Sequence, residues 1–257
     1  MQFKDHFSKQ AGIYSKYRPG YPAELFSYLN SLAGQHELAW DCGTGNGQAA
    51  IGLAKYFNKV IGTDPSSEQI KYAFPKENVE YRVEKAEQTS LPDSSADLVT
   101  IANALHWFDF NQFYPEVKRV LKSGGIIAAW AYIPPSISPE IDTCIRDFHD
   151  VVLNDYWIAE NRYAEAGYKT IPFPFGQMVA PAFQSKKEMS LFDFREYLCT
   201  WSAVQRFINT REYDPTEAVF SRLLPLWGDP LSVKEVSWDL VLKLGVNKGK
   251  VVPHKTF

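Results

Sequence analysis

The sequence predicts an α/β fold in which a doubly wound, mostly parallel sheet is covered by helices on both faces. Two observations support this prediction. Short, continuously apolar segments alternate with amphipathic segments between residues 38 and 132, which is the pattern of strands buried on both faces. A run of closely spaced glycines at 43–47 follows the first apolar segment, as expected where a strand turns sharply into a helix.

The first half of the chain supplies the elements of this sheet. Residues 3–32 have a mostly helical pattern, with a break at Arg18-Pro19-Gly20-Tyr21-Pro22. Five strands are predicted at residues 38–42, 60–63, 79–84, 97–103 and 126–132. The helices between them are predicted at residues 46–57, 66–73 and 109–121, and Ser123-Gly124-Gly125 is expected to end the last of these.

The pattern changes after residue 133. A helix is predicted over 140–152, and residues 154–182 then combine many aromatic residues and three prolines with weak periodicity. We interpret that segment as an excursion from the sheet that covers a site. Helices over 191–200 and 216–226 and a last strand over 236–242 follow. We therefore expect one domain over 1–257, with cap helices at 1–35, a core at 36–133, an insertion at 134–230 and a final strand and tail at 231–257.

The composition is that of an ordinary globular protein. The chain has 257 residues, of which 45 % are hydrophobic and 22 % charged, and a formal net charge of −3. This charge disfavours a protein that coats nucleic acid. Three widely separated cysteines show neither a disulfide framework nor metal-ligand spacing, so we predict no metal and a reducing compartment, the cytoplasm. The N-terminus lacks the apolar stretch of a signal peptide, and no apolar run is long enough to span a membrane.

The turn at 41–47 has the spacing Asp-x-Gly-x-Gly-x-Gly. Its glycines, Gly43, Gly45 and Gly47, allow the backbone to approach a ligand closely. Asp41 would repel the pyrophosphate of a dinucleotide, whereas S-adenosylmethionine carries no phosphate and has an ammonium group that a carboxylate attracts. We therefore interpret the turn as an S-adenosylmethionine site with Asp41 oriented towards the ammonium. The alternative is a glycine-rich turn that binds no ligand.

Two further segments lie at the ends of predicted strands. Asp64 comes about twenty residues after the glycine turn, the distance at which a carboxylate accepts hydrogen bonds from a ribose diol. NAD would use the same acid, and the alternative role of Asp64 is a helix N-cap before Pro65 and Ser66. After the third strand, Ala86 is small enough to lie along an adenine, and Glu87 can meet its amino edge. The alternative for that segment is a polar loop.

The segment after the fourth strand supplies the candidates for chemistry. It reads Ala104-Leu105-His106-Trp107-Phe108 and leaves the strand at its carboxyl end, where ligands bind in open α/β sheets. His106 can orient an acceptor or take its proton, because imidazole titrates near neutrality. Trp107 can form a wall of the transfer site. The alternative for His106 is a hydrogen-bonded structural residue.

Together these segments resemble class I S-adenosylmethionine-dependent methyltransferases, and among them the methyltransferase type 11 group that includes trans-aconitate methyltransferase-like proteins. The resemblance rests on residues 17–22, 41–47, 64–66, 104–108 and 117–125, and more loosely on 201–204. It implies a Rossmann-like sheet of seven strands with the last one antiparallel, and an N-terminal segment and a post-strand-five insertion that close over the pocket. On this resemblance, the expected cofactor site also includes Tyr17, Arg18, Thr44 and Asn103.

The expected activity is methyl transfer from S-adenosylmethionine to a small organic acceptor, with a carboxylate as the first candidate. A carboxylate needs no base near neutral pH, and Arg146, Arg162 and Arg206 in the second half of the chain can pair with one. The alternatives are a protein or RNA acceptor, a cofactor-binding module without turnover and, last, an NAD oxidoreductase. The expected assembly is a monomer or a homodimer, with no nucleic-acid or membrane partner.

Overall fold

A computed structural model gives the fold and describes residues 16–249. Its strands are β1 (Leu38–Cys42), β2 (Lys59–Asp64), β3 (Val79–Val83), β4 (Ala96–Ala102), β5 (Leu121–Tyr132), β6 (Gly176–Met178), β7 (Phe183–Met189) and β8 (Lys234–Val246). The helices that lie wholly within these residues are α1 (Ala23–Leu32), α2 (Gln48–Leu53), α3 (Ser67–Lys71), α4 (Phe110–Val120), α5 (Pro139–Asp147), α6 (Asn161–Glu165), α7 (Leu191–Cys199), α8 (Ser202–Arg211) and α9 (Thr216–Trp227).

One sheet joins the described strands in the order β3-β2-β1-β4-β5-β8, and β6 and β7 both pair with the outer side of β8. Strands β1 to β5 run parallel, whereas β8 runs antiparallel to β5. The predicted α/β fold with a mostly parallel sheet is therefore confirmed. Residues 16–249 contain eight strands instead of seven, because the outermost position is divided between β6 and β7. Pro181 lies in the gap between them and has no N–H to donate to a ladder.

Several elements differ from the sequence prediction, which did not include β7 or α8. Ser123-Gly124-Gly125, expected to end a helix, lies inside β5, and α4 already ends at Val120. Gly124 has a φ of +80°, which a regular strand does not accommodate, so residues 122–125 bulge out of the ladder with β4. The segment 154–182, expected to leave the sheet, contributes β6 to it. The helix predicted over 3–32 is present as α1, whereas residues 3–15 and the predicted tail at 250–257 lie outside the described residues.

The core residues of the strands alternate between the two faces of the sheet. Trp40 and Ile127 pack with residues of α4 on one face, whereas Ala39 and Trp130 pack with residues of α1 and α2 on the other. A third cluster joins α5, α7, α8 and α9. This arrangement fixes the sheet from both sides and places the helices of the second half near its carboxyl edge. Within residues 16–249, no helix has both the length and the apolar composition that a bilayer span requires.

Candidate active site

The candidate site lies where the strand order reverses, between β1 and β4. The connections that follow these neighbouring strands run in opposite directions, which opens a crevice outside their carboxyl ends. Loops after β1, β2, β3 and β4 line a cavity of about 1310 Å³ there. Cavities for one small molecule usually span about 300–1000 Å³. This cavity therefore has room for a nucleoside-sized molecule and a second molecule beside it.

Asp41 lies behind the glycine turn and not in the wall of this cavity. Its side chain has no exposed surface, and its carboxylate accepts hydrogen bonds from the hydroxyls of Thr44 (2.5 Å) and Thr100 (2.8 Å). Burial raises the pKa of Asp41 to about 6. Asp41 therefore does not line the cavity, and its orientation towards an ammonium group stays a prediction. Its carboxylate is enclosed by the two hydroxyls, fixes the loop through Thr44 and places a negative charge beneath the turn.

The glycine turn is shaped by packing within the protein as well as by the cavity. Gly43, Thr44 and Gly45 line the cavity, but Gly47 does not. Gly47 has a φ of +86°, and a Cβ atom there would lie 2.1 Å from the hydroxyl oxygen of Tyr81. The backbone of Gly47 therefore packs closely against Tyr81, and a contact between Gly47 and a ligand stays a prediction.

Asn46, between two of these glycines, lines the cavity and has an unused hydrogen-bond donor behind the cavity surface. Its side chain is 8 % exposed, and its Nδ2 atom is buried without an acceptor among the described residues. An unsatisfied buried amide costs free energy, so this position suits a ligand that offers an acceptor. Asn46 was not among the residues expected from the sequence, although its position in the middle of the turn is a signal that points to it.

Asp64 ends β2 and connects that strand to the glycine turn. Its Oδ2 accepts a hydrogen bond from the backbone N–H of Gly45 (3.0 Å) and its Oδ1 from that of Ser66 (2.9 Å). Ser66, and not Asp64, is the N-cap of α3, because its hydroxyl accepts from the backbone N–H of Gln69. Asp64 lines the cavity.

The loop after β3 forms the next part of the wall. Ala86 is buried, Glu87 is half-buried, and both line the cavity. Glu87 Oε1 accepts a hydrogen bond from the backbone N–H of Asp109 (3.0 Å), the N-cap residue of α4. This bond joins the loops after β3 and β4. Both predicted residues are thus at the cavity, and one oxygen of Glu87 is used within the protein.

The segment after β4 carries three of the predicted residues to the cavity. Asn103 has a φ of +55°, a left-handed conformation that few residues other than glycine adopt, and its N–H donates to the carbonyl of Trp130 (2.7 Å). A 3₁₀ turn at Leu105–Trp107 follows, in which the rings of His106 and Trp107 lie 4.9 Å apart. Asn103, His106 and Trp107 all line the cavity.

The environment of His106 favours an orienting role. The residue is 6 % exposed, and burial lowers its pKa to about 4, so the imidazole is neutral at physiological pH. Its Nδ1 lies 3.1 Å from the hydroxyl oxygen of Tyr168, a residue that the sequence did not single out as functional. A base with so low a pKa is poorly matched to an amine or a phenol. Hydrogen bonding to an acceptor suits this imidazole better than removal of a proton.

Of the two residues predicted before α1, Arg18 lines the cavity and Tyr17 does not. Arg18 lines the cavity, and its guanidinium donates to the hydroxyl (2.9 Å) and the carbonyl oxygen (3.2 Å) of Thr200. The same guanidinium lies over the ring of Tyr197. Tyr17 packs instead against the cluster formed by α5, α7, α8 and α9. Arg18 therefore fastens the N-terminal segment to the end of α7.

The second half of the chain closes the other side of the cavity, as the resemblance implies. Several of its lining residues are aromatic: Trp157, Tyr163, Tyr197 and Trp201. Arg206 of α8 also lines the cavity, and its guanidinium donates to the carbonyl oxygen of Tyr156 (3.2 Å). Arg146 and Arg162, the other two predicted arginines, are exposed and lie outside the cavity wall.

Comparison with known proteins shows the family. A family model described as a methyltransferase domain matches residues 40–129. A protein of Dictyostelium discoideum named as a methyltransferase is 36 % identical over 227 residues, which are 87 % of this chain and 86 % of that protein. The S-adenosylmethionine-dependent methyltransferase CRG1 of Saccharomyces cerevisiae is 33 % identical over 136 residues, which are 49 % of this chain and 46 % of CRG1. A solved structure of a type II methyltransferase from Anaeromyxobacter dehalogenans is 35 % identical, with a TM-score of 0.86, and the match covers 91 % of this chain and 100 % of that one.

The chain belongs to the S-adenosylmethionine-dependent methyltransferases. It is an enzyme with the class I Rossmann-like fold, and its cofactor is S-adenosylmethionine. The NAD oxidoreductase alternative is therefore set aside. The trans-aconitate methyltransferase-like subgroup stays a prediction.

Three observations indicate that the cavity of this methyltransferase fits its cofactor. The unsatisfied Nδ2 of Asn46 suits the carboxylate of a methionine group. The Asp64 carboxylate at the end of β2 suits a ribose diol. The buried charge of Asp41 beneath the turn attracts a cation. Within residues 16–249, no cluster of three or more His, Cys, Asp or Glu side chains is arranged to hold a metal ion.

Proposed function

We propose that this methyltransferase transfers a methyl group from S-adenosylmethionine to a small organic acceptor that carries a carboxylate, giving a methyl ester. The observation that carries the proposal is the environment of Arg206. Its half-buried guanidinium lines the cavity, and no carboxylate of the described residues lies within ion-pair distance of it. A partly buried cation without an ion partner is costly, and an anionic ligand offsets that cost.

The surroundings of Arg206 support an organic acid of modest size. Trp157 and Trp201 line the same cavity as Arg206 and add apolar surface to its wall. Glu160 also lines the cavity, and its charge acts on Arg206 from beyond ion-pair distance, so it reduces but does not cancel the positive field. The space beyond the cofactor holds a small molecule more readily than a folded macromolecule.

We assign the cofactor to the side of the cavity formed by the loops after β1 to β4. The methionine end lies against Gly43, Thr44, Gly45, Asn46 and Arg18, with the Asp41 charge beneath. The ribose meets Asp64, and the adenine lies between Ala86 and Glu87. The methyl group then faces the segment formed by Asn103, His106 and Trp107. These assignments rest on the place of each residue in the cavity wall or behind it.

The proposed mechanism needs alignment more than acid–base chemistry. S-adenosylmethionine, when bound, would supply an electrophilic methyl carbon on a sulfonium, and in-line attack by an acceptor oxygen would release the sulfur as the neutral thioether of S-adenosylhomocysteine. Arg206 holds the carboxylate of the acceptor, and Trp107 with the aromatic side chains of the second half keeps water from the reacting atoms. An ionised carboxylate gives up no proton in the reaction, which agrees with the neutral, weakly basic imidazole of His106.

We further propose a single domain in which residues 134–230 form the acceptor side, acting as a monomer or a homodimer without a nucleic-acid partner. The formal net charge of −3 supports the last point. Cys42, Cys144 and Cys199 form no disulfide, which supports a location in the reducing cytoplasm. Methylation of a protein or an RNA remains the competing proposal.

The test is methyl transfer from labelled S-adenosylmethionine to a panel of small mono- and dicarboxylic acids, with the corresponding amides, total RNA and a protein extract alongside. We expect ester products from the acids and none from the amides. Arg206→Gln is expected to lower kcat/KM for the best acid about 10- to 100-fold, as for the loss of a charge-assisted hydrogen bond. Arg146→Gln, which removes an exposed arginine outside the cavity wall, is the matched control and should leave kcat/KM unchanged.

Two results would contradict the proposal. Labelled RNA or protein with no labelled acid would move the acceptor class to a macromolecule. An acid substrate whose kcat/KM is the same in Arg206→Gln and in the control would show that Arg206 does not hold its carboxylate.

A further inference from the structure

Tyr168 is a buried residue that contacts His106 and has an unusual backbone conformation. The Tyr168 side chain has no exposed surface, and its hydroxyl oxygen lies 3.1 Å from His106 Nδ1. The ring centroids of the two residues are 6.1 Å apart. Within residues 16–249 no other hydrogen bond is made by the Tyr168 hydroxyl, so the imidazole is its partner in the protein.

The chain reaches this position through a tight turn after α6. The N–H of Gly167 donates to the carbonyl oxygen of Ala164, and the N–H of Tyr168 donates to that of Tyr163. Gly167 and Tyr168 both adopt left-handed conformations, with φ angles of +63° and +56°. Such a conformation is costly for a bulky residue and persists only where the surrounding structure enforces it. The turn brings the phenol from the second half of the chain beneath the segment that follows β4.

The hydrogen bond between these residues has two possible directions, and burial decides between them. If Nδ1 carried the proton and donated to Tyr168, the phenolic O–H would be left buried without an acceptor among the described residues, which costs free energy. If the phenol donates instead, Nδ1 accepts, and the proton of the neutral imidazole lies on Nε2. Burial raises the pKa of Tyr168 well above its ordinary value, so the phenol keeps its proton.

His106 Nε2 can then act on a molecule in the cavity. His106 lines the cavity. Its Nε2 makes no hydrogen bond to a described residue and is not fully buried. We therefore place Nε2 at the surface of the cavity. A protonated Nε2 presents a hydrogen-bond donor there, whereas an unprotonated Nε2 would present an acceptor.

We propose that Tyr168 is a positioning residue that holds His106 in the tautomer with the proton on Nε2, so that the imidazole donates a hydrogen bond into the methyl-transfer side of the cavity. The bound acceptor then carries a hydrogen-bond-accepting atom beside the atom that is methylated. For the carboxylic acids of the proposed function, on which this last step rests, that atom is the second carboxylate oxygen. His106 thereby selects acceptors with an oxygen acceptor at this position and disfavours amines, whose N–H groups would face its donor.

The tautomer can be measured directly, without knowledge of the acceptor. The chain has five histidines, so a long-range ¹⁵N–¹H correlation spectrum of the ¹⁵N-histidine-labelled full chain is tractable, and His106→Gln assigns the His106 signals by their loss. We expect Nε2 of His106 in the protonated range and Nδ1 in the unprotonated, hydrogen-bonded range. In Tyr168→Phe, the Nδ1 signal should shift, because its donor is gone while the ring is kept.

Tyr114→Phe is the matched control for this spectrum. Tyr114 belongs to the same core cluster as Tyr168 and is also buried, but its hydroxyl has no hydrogen-bond partner among the described residues. The His106 signals should be unchanged in this variant. A proton on Nδ1 in the wild-type protein, or an Nδ1 signal that is the same in Tyr168→Phe, would overturn the proposal. The wild-type spectrum decides the tautomer even if Tyr168→Phe does not fold.

Kinetics with any methylated acid distinguishes a donor from a base at His106. His106→Gln keeps an N–H donor near the Nε2 position, and His106→Leu keeps only the volume. We expect kcat to fall about tenfold less in the glutamine variant than in the leucine variant, the difference that one hydrogen bond makes. Equal losses in both variants would refute the donor role. If no acid is methylated, the proposed function fails while the tautomer result stands on its own.

Discussion

Replacement of Asp41 by asparagine should make this methyltransferase more stable at neutral pH and weaker in cofactor binding. The carboxylate is fully buried, accepts hydrogen bonds from Thr44 and Thr100, and has no cationic partner among the described residues. Burial raises its pKa from an ordinary value of 3.8 to about 6. At about 1.4 kcal/mol per pKa unit, the ionised carboxylate destabilises the folded state by about 3 kcal/mol. An asparagine avoids this cost, and because its amide still needs partners, we expect a gain of about 1–3 kcal/mol.

The stability difference between Asp41→Asn and the wild type should depend on pH in a defined direction. The folded pKa is higher than the unfolded one, so the contribution of Asp41 to stability is fully present below about 3.8 and is lost as the pH rises through about 6. The stability advantage of Asp41→Asn should therefore be largest above pH 6 and shrink as the pH falls towards 4. Urea unfolding at a series of pH values measures it. In parallel, calorimetry should show weaker binding of S-adenosylmethionine at pH 7.5, because the variant lacks the negative charge beneath the turn.

Asp97→Asn is the contrasting control. Asp97 is also buried, but its carboxylate accepts from the backbone N–H groups of Glu37 and Leu38 and pairs with Lys122 at 2.6 Å. Its replacement leaves a cation without its partner and should destabilise the protein at neutral pH. If Asp41→Asn is less stable than the wild type at pH 7.5, or if its effect does not change with pH, the reasoning from burial is refuted.

Two further predictions follow from the same loops. Gly47→Ala should destabilise the protein by roughly 2 kcal/mol or more, because position 47 has a φ of +86° and the new Cβ would clash with the Tyr81 hydroxyl. Urea unfolding measures this loss. Gly34→Ala is the control and should be near neutral, because there is open space around Gly34. Asp64→Asn should weaken binding of S-adenosylhomocysteine about tenfold, as measured by calorimetry. Asp239→Asn, at an exposed position, is the control and should leave the affinity unchanged. If Asp64→Asn binds as tightly as the wild type, Asp64 does not contact the ribose.

The sheet and the cofactor loops could be predicted from the sequence because their signals are local. Strand β1 has the predicted bounds, since five apolar or buried residues end at a glycine turn that no strand can continue through. The loop after each parallel strand reaches the same edge of the sheet, so a residue such as Asp64 or Ala86 is placed by its distance from the strand end alone. This is why most of the expected cofactor residues line one cavity.

The acceptor side could not be predicted in this way, because tertiary packing assembles it. Arg206 faces the cavity only because α8 packs where its guanidinium can reach the carbonyl oxygen of Tyr156, 50 residues earlier. Tyr168 meets His106 across 62 residues and through two left-handed backbone positions. Nothing in the periodicity near residue 206 distinguishes this arginine from Arg146 or Arg162, which are exposed.

Three residues of the cofactor side have features that the fold alone does not favour. Asp41 is a buried charge behind the cavity wall, Asn46 keeps an unsatisfied donor, and Asn103 adopts a left-handed conformation. Folded proteins generally pair buried charges, satisfy buried donors and avoid positive φ outside glycine, so each of these features is unfavourable for folding. Each lies in the cavity wall or directly behind it. Local costs of this kind are tolerated where a ligand recovers part of them on binding. On the cofactor side of this cavity, three such costs lie in or behind one short stretch of wall, next to the glycine turn.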